Sequence, residues 1–109
     1  MAKDDYHVVV CRLLTILYGY FKTGERVDGS VLTAAAFGIP EGYFVNVIEA
    51  LLQQGFVTGA EIIIIGGIES VKLTNLKITP AGIEYLSENS MMKKAVKFLK
   101  EAKSVIPGI

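Results

Sequence analysis

One pair of side chains in this chain has the types and spacing for nucleophilic or metal chemistry. His7 and Cys11 lie four residues apart, the separation that brings two side chains to one face of a helix. Such a pair offers a thiol–imidazole couple or half of a zinc site. The chain has a single histidine and a single cysteine, so no second pair completes a tetrahedral site and no histidine relay can be assembled elsewhere. The plainer reading is a core cysteine beside a surface histidine. Gly66-Gly67 lacks the spacing and the following lysine of a phosphate loop, and no paired carboxylates stand out. Neither an enzyme, a metal nor a cofactor is expected.

The remaining chemistry is recognition. Between Pro40 and Gln54 the polar side chains recur at helical spacing, and Asn46, Glu49 and Gln53 share one stripe with Tyr43 at its margin. Asn46 and Gln53 carry the donor–acceptor pair that reads adenine, and Glu49 can accept from cytosine. A solvated helix face needs polar residues too, and nothing beside this stripe would bind phosphate. The phosphate-binding candidates lie elsewhere, at Lys72, Lys93, Lys94, Lys97, Lys100 and Lys103. Residues 1 to 89 hold six basic and ten acidic side chains, a balance of −4, whereas residues 90 to 109 hold five lysines and Glu101, a balance of +4. Duplex affinity draws on phosphate neutralisation, so a conventional DNA reader would show the reverse split.

These residues need elements to position them. A first helix is expected from about Tyr6 to Phe21, capped at Asp4 or Asp5, with Gly24 beyond its end. Its polar positions Asp5, Arg12, Thr15, Gly19 and Lys22 make one narrow stripe, and almost everything else is apolar. That apolar arc exceeds the ~100° of an ordinary surface helix, so cover is expected on two sides, from the domain and from either the C-terminal helix or another subunit. Ser30 to Phe37 reads as a short helix stopped by Gly38. Pro40 then presets a helix that closes on Gly55, with Phe44, Val47, Ile48, Leu51 and Leu52 as its buried stripe.

Phe56–Ile65 and Ile68–Leu73 read as a hairpin with Gly66-Gly67 in its turn. Ile62-Ile63-Ile64-Ile65 breaks the alternation of a strand with one wet face. It must be buried on both sides, pair with a partner, or risk aggregation. The hairpin tip has no basic residue. Thr79 and Pro80 open a helix to about Ser87. Ser90 caps a last one, from Met91 to about Ile106, with an apolar face at Met92, Ala95, Val96 and Leu99 and lysines opposite.

Helix, turn, helix, hairpin, helix is the order of a winged helix-turn-helix, so the expected fold class is α+β, with an additional C-terminal helix. A chain of 109 residues is a single domain over 1–109. The helix-turn-helix falls at about 30–54, the wing at about 56–78 and the C-terminal helices at about 79–106. Its 51% hydrophobic and 20% charged composition argues against disorder. Val8–Leu17 falls far short of ~18 apolar residues, so no membrane span is expected. No secretory signal is visible, and the single cysteine fits a reducing cytoplasm.

Ile78-Thr79-Pro80-Ala81-Gly82-Ile83-Glu84-Tyr85-Leu86-Ser87-Glu88-Asn89-Ser90-Met91-Met92-Lys93-Lys94 closely resembles the YjcQ-like family of small Firmicutes and prophage proteins, and Phe37-Gly38-Ile39-Pro40-Glu41 and Gly55-Phe56-Val57 match it upstream. The resemblance extends over most of the chain and implies a winged-helix fold and a bacterial or phage origin. It carries no functional residues over, because the family has no established biochemical activity and fold does not fix function. The leading expectation is a winged-helix DNA-binding protein, a prophage-type transcriptional regulator that binds double-stranded DNA as a homodimer through helix 1 or the C-terminal helix. The alternative is a protein–protein interaction module on the same scaffold without DNA binding.

Overall fold

The computed structural model describes residues 4–88. They form α1 (Tyr6–Thr23), a 3-10 turn (Gly29–Val31), α2 (Ala34–Phe37), α3 (Glu41–Gln53), β1 (Val57–Ile65), β2 (Ile68–Ile78) and α4 (Pro80–Glu88). This is an α+β arrangement of four helices and one two-stranded antiparallel sheet, compatible with the expected winged helix. The expected helix from Met91 to Ile106 lies outside the described residues. No helix among the described residues is long and apolar enough to cross a membrane.

Helix α1 is the central pillar. Gly24, at φ +77°, ends it by donating its N–H to the Tyr20 carbonyl at 3.0 Å. Val9, Val10, Leu13, Leu14 and Leu17 are buried in the core, and α1 packs on β2 and α4. The polar stripe is wet only at its ends, Asp5 and Lys22, because along its middle Thr15 and Gly19 are buried and Arg12 is half-buried. Both buried residues are small. The Thr15 hydroxyl stays within 4.0 Å of Cys11 Sγ, so enclosure leaves it with a polar neighbour.

The helix expected over Ser30–Phe37 is broken in two. The Asp28 carboxylate accepts from the Ser30 amide at 2.9 Å and the Ser30 hydroxyl at 2.8 Å, which closes a 3-10 turn. Leu32 then leaves helical geometry, and Thr33 restarts it as a cap whose Oγ1 accepts from the Ala36 amide at 3.0 Å. Two short polar side chains compete for backbone groups within six residues, so the propensity of Ala34–Ala36 sustains only a four-residue helix.

Helix α3 follows Pro40, which sits at the cap rather than the first helical position. It ends in a Schellman arrangement: Gly55 adopts φ +75°, its N–H reaches the Leu52 carbonyl at 3.1 Å, and the Phe56 N–H reaches the Leu51 carbonyl at 3.0 Å. Phe44, Val45, Val47, Ile48 and Leu51 are buried and Leu52 half-buried. The expected stripe therefore extends to Val45 and thins at Leu52.

The hairpin grows out of this junction. Val57 pairs with Ile78 and Thr58 with Lys77, and after an irregularity Ala60 pairs with Leu73, Glu61 with Lys72 and so on to Ile65 with Ile68. Gly59, at φ +87°, lies at the irregularity, where any Cβ would collide with the Asn75 carbonyl oxygen. The same residues lock α4. Thr79 Oγ1 accepts from the Gly82 amide at 3.1 Å and donates to the Gly55 carbonyl at 2.5 Å, while the Thr79 amide reaches the Phe56 carbonyl at 3.0 Å. A Cβ at Gly82 would strike the Phe56 carbonyl oxygen and come within 2.8 Å of Ile78 Cγ1. Phe56 stacks on Tyr85 with ring centroids 4.7 Å apart. The Ile78-Thr79-Pro80-Ala81-Gly82 sequence is thus the clasp that ties the end of α3, the base of the hairpin and the start of α4.

Candidate functional site

The outer face of α3 presents the residues expected to read bases. Gly42, Asn46 and Gln53 are exposed, and Glu49 is half-buried. Tyr43 is half-buried and packed against the core, and its hydroxyl donates to the Asp4 carbonyl at 2.6 Å. Burial first, then the charges of Asp4 and Asp5, holds the Tyr43 phenol above its ordinary pKa. Tyr43 is therefore a strut between α3 and the start of α1 that leaves its hydroxyl already engaged. Asn46, Glu49 and Gln53 remain together on the open side of the helix.

No basic side chain stands on α3, and its first turn carries Glu41. Nor are all the cations elsewhere available. Arg12 points its guanidinium over the Phe37 ring, 4.9 Å from the centroid, with one nitrogen 3.5 Å from the Phe37 carbonyl oxygen. It fastens α1 to α2 and is half-buried in doing so. Lys22 lies over the Tyr18 ring at 4.9 Å. Lys72 is exposed on β2, opposite Glu61. Lys93, Lys94, Lys97, Lys100 and Lys103 lie outside the described residues. The expected meeting of a base-reading helix with a phosphate-binding set is thus half described: the helix face is present and neutral to acidic.

The hairpin tip departs most from an ordinary surface. The four isoleucines divide in pairs: Ile62 and Ile63 are half-buried, whereas Ile64 and Ile65 are 72% and 64% exposed, and Ile68 across the turn is 69% exposed. Two strands of nine and eleven residues, at about 3.3 Å per residue, reach roughly 30 Å. Only the base and middle of that length lie over the helices. The signal was in the sequence, since a Gly66-Gly67 turn at the end of so long a ladder must carry its flanking residues beyond the body. Phe21, 49% exposed, is the other large apolar side chain open to solvent among the described residues.

Little else suggests a site. His7 is exposed and Cys11 buried, as the plainer reading of that pair expects. Among the described residues no group of three or more His, Cys, Asp or Glu side chains could hold a metal ion. A cleft of about 140 Å³ lies between the end of α1, the Gly24–Val27 loop and β2, lined in part by Arg26, Asn75 and Lys77. It is well below the ~300 Å³ at which small-molecule pockets begin.

An α+β arrangement of four helices with a projecting two-stranded hairpin and a clasped closing helix is the class these observations define. The chain belongs to the YjcQ protein family, which it matches over residues 12–105. No curated protein and no solved structure matches it.

Proposed function

We propose that this chain is a winged-helix module that works through protein contact rather than by gripping duplex DNA with its helix-turn-helix. Support for the winged helix comes from the order of α1, α2, α3, the hairpin and α4. The observation that carries the functional reading is the charge around α3. Among the described residues its open face offers Asn46, Glu49 and Gln53 with Glu41 at one end and no cation of α3 itself, while Arg12 is committed to Phe37. A face of this kind repels phosphate, and its polar groups suit hydrogen bonding to a partner's polar or basic surface. The apolar hairpin tip adds a second contact region in the position where a backbone-gripping wing would carry lysine or arginine. Neither catalysis nor a bound cofactor is part of this reading.

Affinity capture of candidate partners on the intact chain tests it when paired with a Glu41→Lys/Glu49→Lys variant. Partner binding should fall at least tenfold in the variant while duplex binding by the native chain stays absent at low salt. Retention of partner binding in the charge-reversed variant removes α3 from the contact.

One observation favours a second reading, a DNA-binding regulator of prophage type: the five lysines between Lys93 and Lys103. In that reading they supply the phosphate contacts and Asn46, Glu49 and Gln53 read bases. Lys93→Gln/Lys97→Gln/Lys100→Gln should then flatten the logarithmic salt dependence of duplex binding by roughly one unit for each lost contact. Absence of any complex with genomic or prophage duplexes at low salt ends this second reading.

A further inference from the structure

We infer that the free edge of β1 over Ile62–Ile65 is a self-pairing surface, on which a second copy of this chain lays its own β1 antiparallel to form a four-stranded sheet. The inference builds on the reading of this chain as a protein-contact module and names one partner. It is distinct from association through α1 or the C-terminal helix.

Two properties of the hairpin lead to it. The sheet described has only two strands, so each keeps one unpaired edge, and in an antiparallel ladder every second residue turns its N–H and C=O outward. Exposed edges are ordinarily blunted by charge, proline or irregularity. Here the blunting is one-sided. Along β2 the tip carries Glu69, Ser70 and Lys72, whereas β1 beyond Glu61 carries four isoleucines and then the turn. The irregularity at Gly59 lies at the other end, near the base. Among the described residues, only β1 is left open where the hairpin projects.

The register then argues for a second copy over an unrelated strand. Cross-strand partners share a face of the sheet, so Ile63, Ile65 and Ile68 lie on one face with Ser70, and Glu61 faces Lys72 there. Pairing about a dyad at Ile64 would set Ile63 of each copy opposite Ile65 of the other on that face, and the two Ile64 side chains opposite each other on the reverse face. In that register each Glu61 lies opposite Gly67 of the other copy, and the two carboxylates are about six residues apart along the paired strands, roughly 20 Å, beyond the Debye length at physiological salt. Unpaired backbone groups and apolar side chains are thus self-complementary, as a two-fold interface requires, and the like charges are kept apart. Three isoleucines per copy fall short of the ~800 Å² each partner gives to a standard interface, so the association is weak and set by concentration.

Sedimentation velocity on the full chain from about 10 μM to about 1 mM covers the range expected of so small an interface. The expected result is a reversible monomer–dimer equilibrium, weakened at least tenfold by Ile64→Lys/Ile65→Lys and unchanged by Phe21→Lys in the last turn of α1. The tip residues are exposed, so the variant should keep its far-ultraviolet dichroism. Amide exchange read by NMR should slow with concentration at the outward-facing Ile62 and Ile64, and not at Ile63 and Ile65, which already face β2. A chain that stays monomeric at about 1 mM, or a dimer indifferent to the tip variant, overturns the inference. So does slowing of these amides only when a foreign protein is added. None of these outcomes depends on whether α3 binds a partner, so the two readings fail separately.

Discussion

At the base of the hairpin, Ile78 is 2% exposed and lies against Gly82, one residue from the Thr79 hydroxyl that bridges α3 and α4. At its tip, Ile64, Ile65 and Ile68 face solvent. One residue type in one pair of strands thus meets two environments. At the base its apolar surface is removed from water, a gain of about 1.5–3 kcal/mol for a fully buried side chain. At the tip that gain is available only from another molecule. The difference separates two meanings of a hydrophobic run, because the base is apolar for the sake of this chain and the tip offers nothing to it. Isolated exposed apolar residues need no explanation, but a contiguous group at a projecting end marks a contact region.

The comparison breaks most directly by truncating isoleucine at each end. Ile78→Ala should destabilise the chain by about 2–4 kcal/mol, as buried large-to-small changes do. Ile65→Ala should stay within about 0.5 kcal/mol in a dilute urea titration. Equal effects would mean that the tip is part of the folded core. Gly59→Ala comes next, at about 1–3 kcal/mol, from a positive φ and the collision with the Asn75 carbonyl. Its loss should appear in chemical denaturation, and an unchanged midpoint would show that the irregularity opens freely. Thr79→Val then removes both an N-cap acceptor and the donor to the Gly55 carbonyl, for about 1–2 kcal/mol. Amide exchange at Gly82 should quicken in that variant, and unchanged protection would place the clasp elsewhere.

Much of this division was legible in the residues themselves. The clasp announces itself as Gly55 and Thr79-Pro80-Ala81-Gly82, because a C-terminal glycine and a Thr-Pro cap have single dominant uses. The apolar stripe of α3 follows from its period, and the Gly66-Gly67 turn fixes the hairpin. Other features depend on contacts that a linear pattern does not carry. The periodic polar stripe of α1 gave no hint that Thr15 and Gly19 would be enclosed, since polarity and exposure part company when the side chains are small. Ala34-Ala35-Ala36 favoured a longer helix until Asp28 and Thr33 claimed its amides. The role of Tyr43 was hidden for the same reason, since Asp4 lies 39 residues away.

The smallest effect expected tests how firmly α3 is tethered apart from the hairpin. Burial, followed by the charges of Asp4 and Asp5, raises the Tyr43 pKa above 10.0. A raised pKa means that the folded state favours the neutral phenol, the form that donates to the Asp4 carbonyl. The associated stability is fully present below the unfolded tyrosine pKa of about 10 and is lost as pH rises through the folded value. Tyr43→Phe should therefore cost no more than about 0.5–1 kcal/mol near neutral pH, the worth of one peripheral hydrogen bond. Its difference from the native chain should shrink as the pH climbs past 10, because the native chain then loses the same donor by ionisation. Urea titrations of both chains at about pH 8 and above pH 10 measure this. A gap that widens with pH would mean that the ionised phenolate is stabilised, and that Tyr43 faces a cation rather than Asp4.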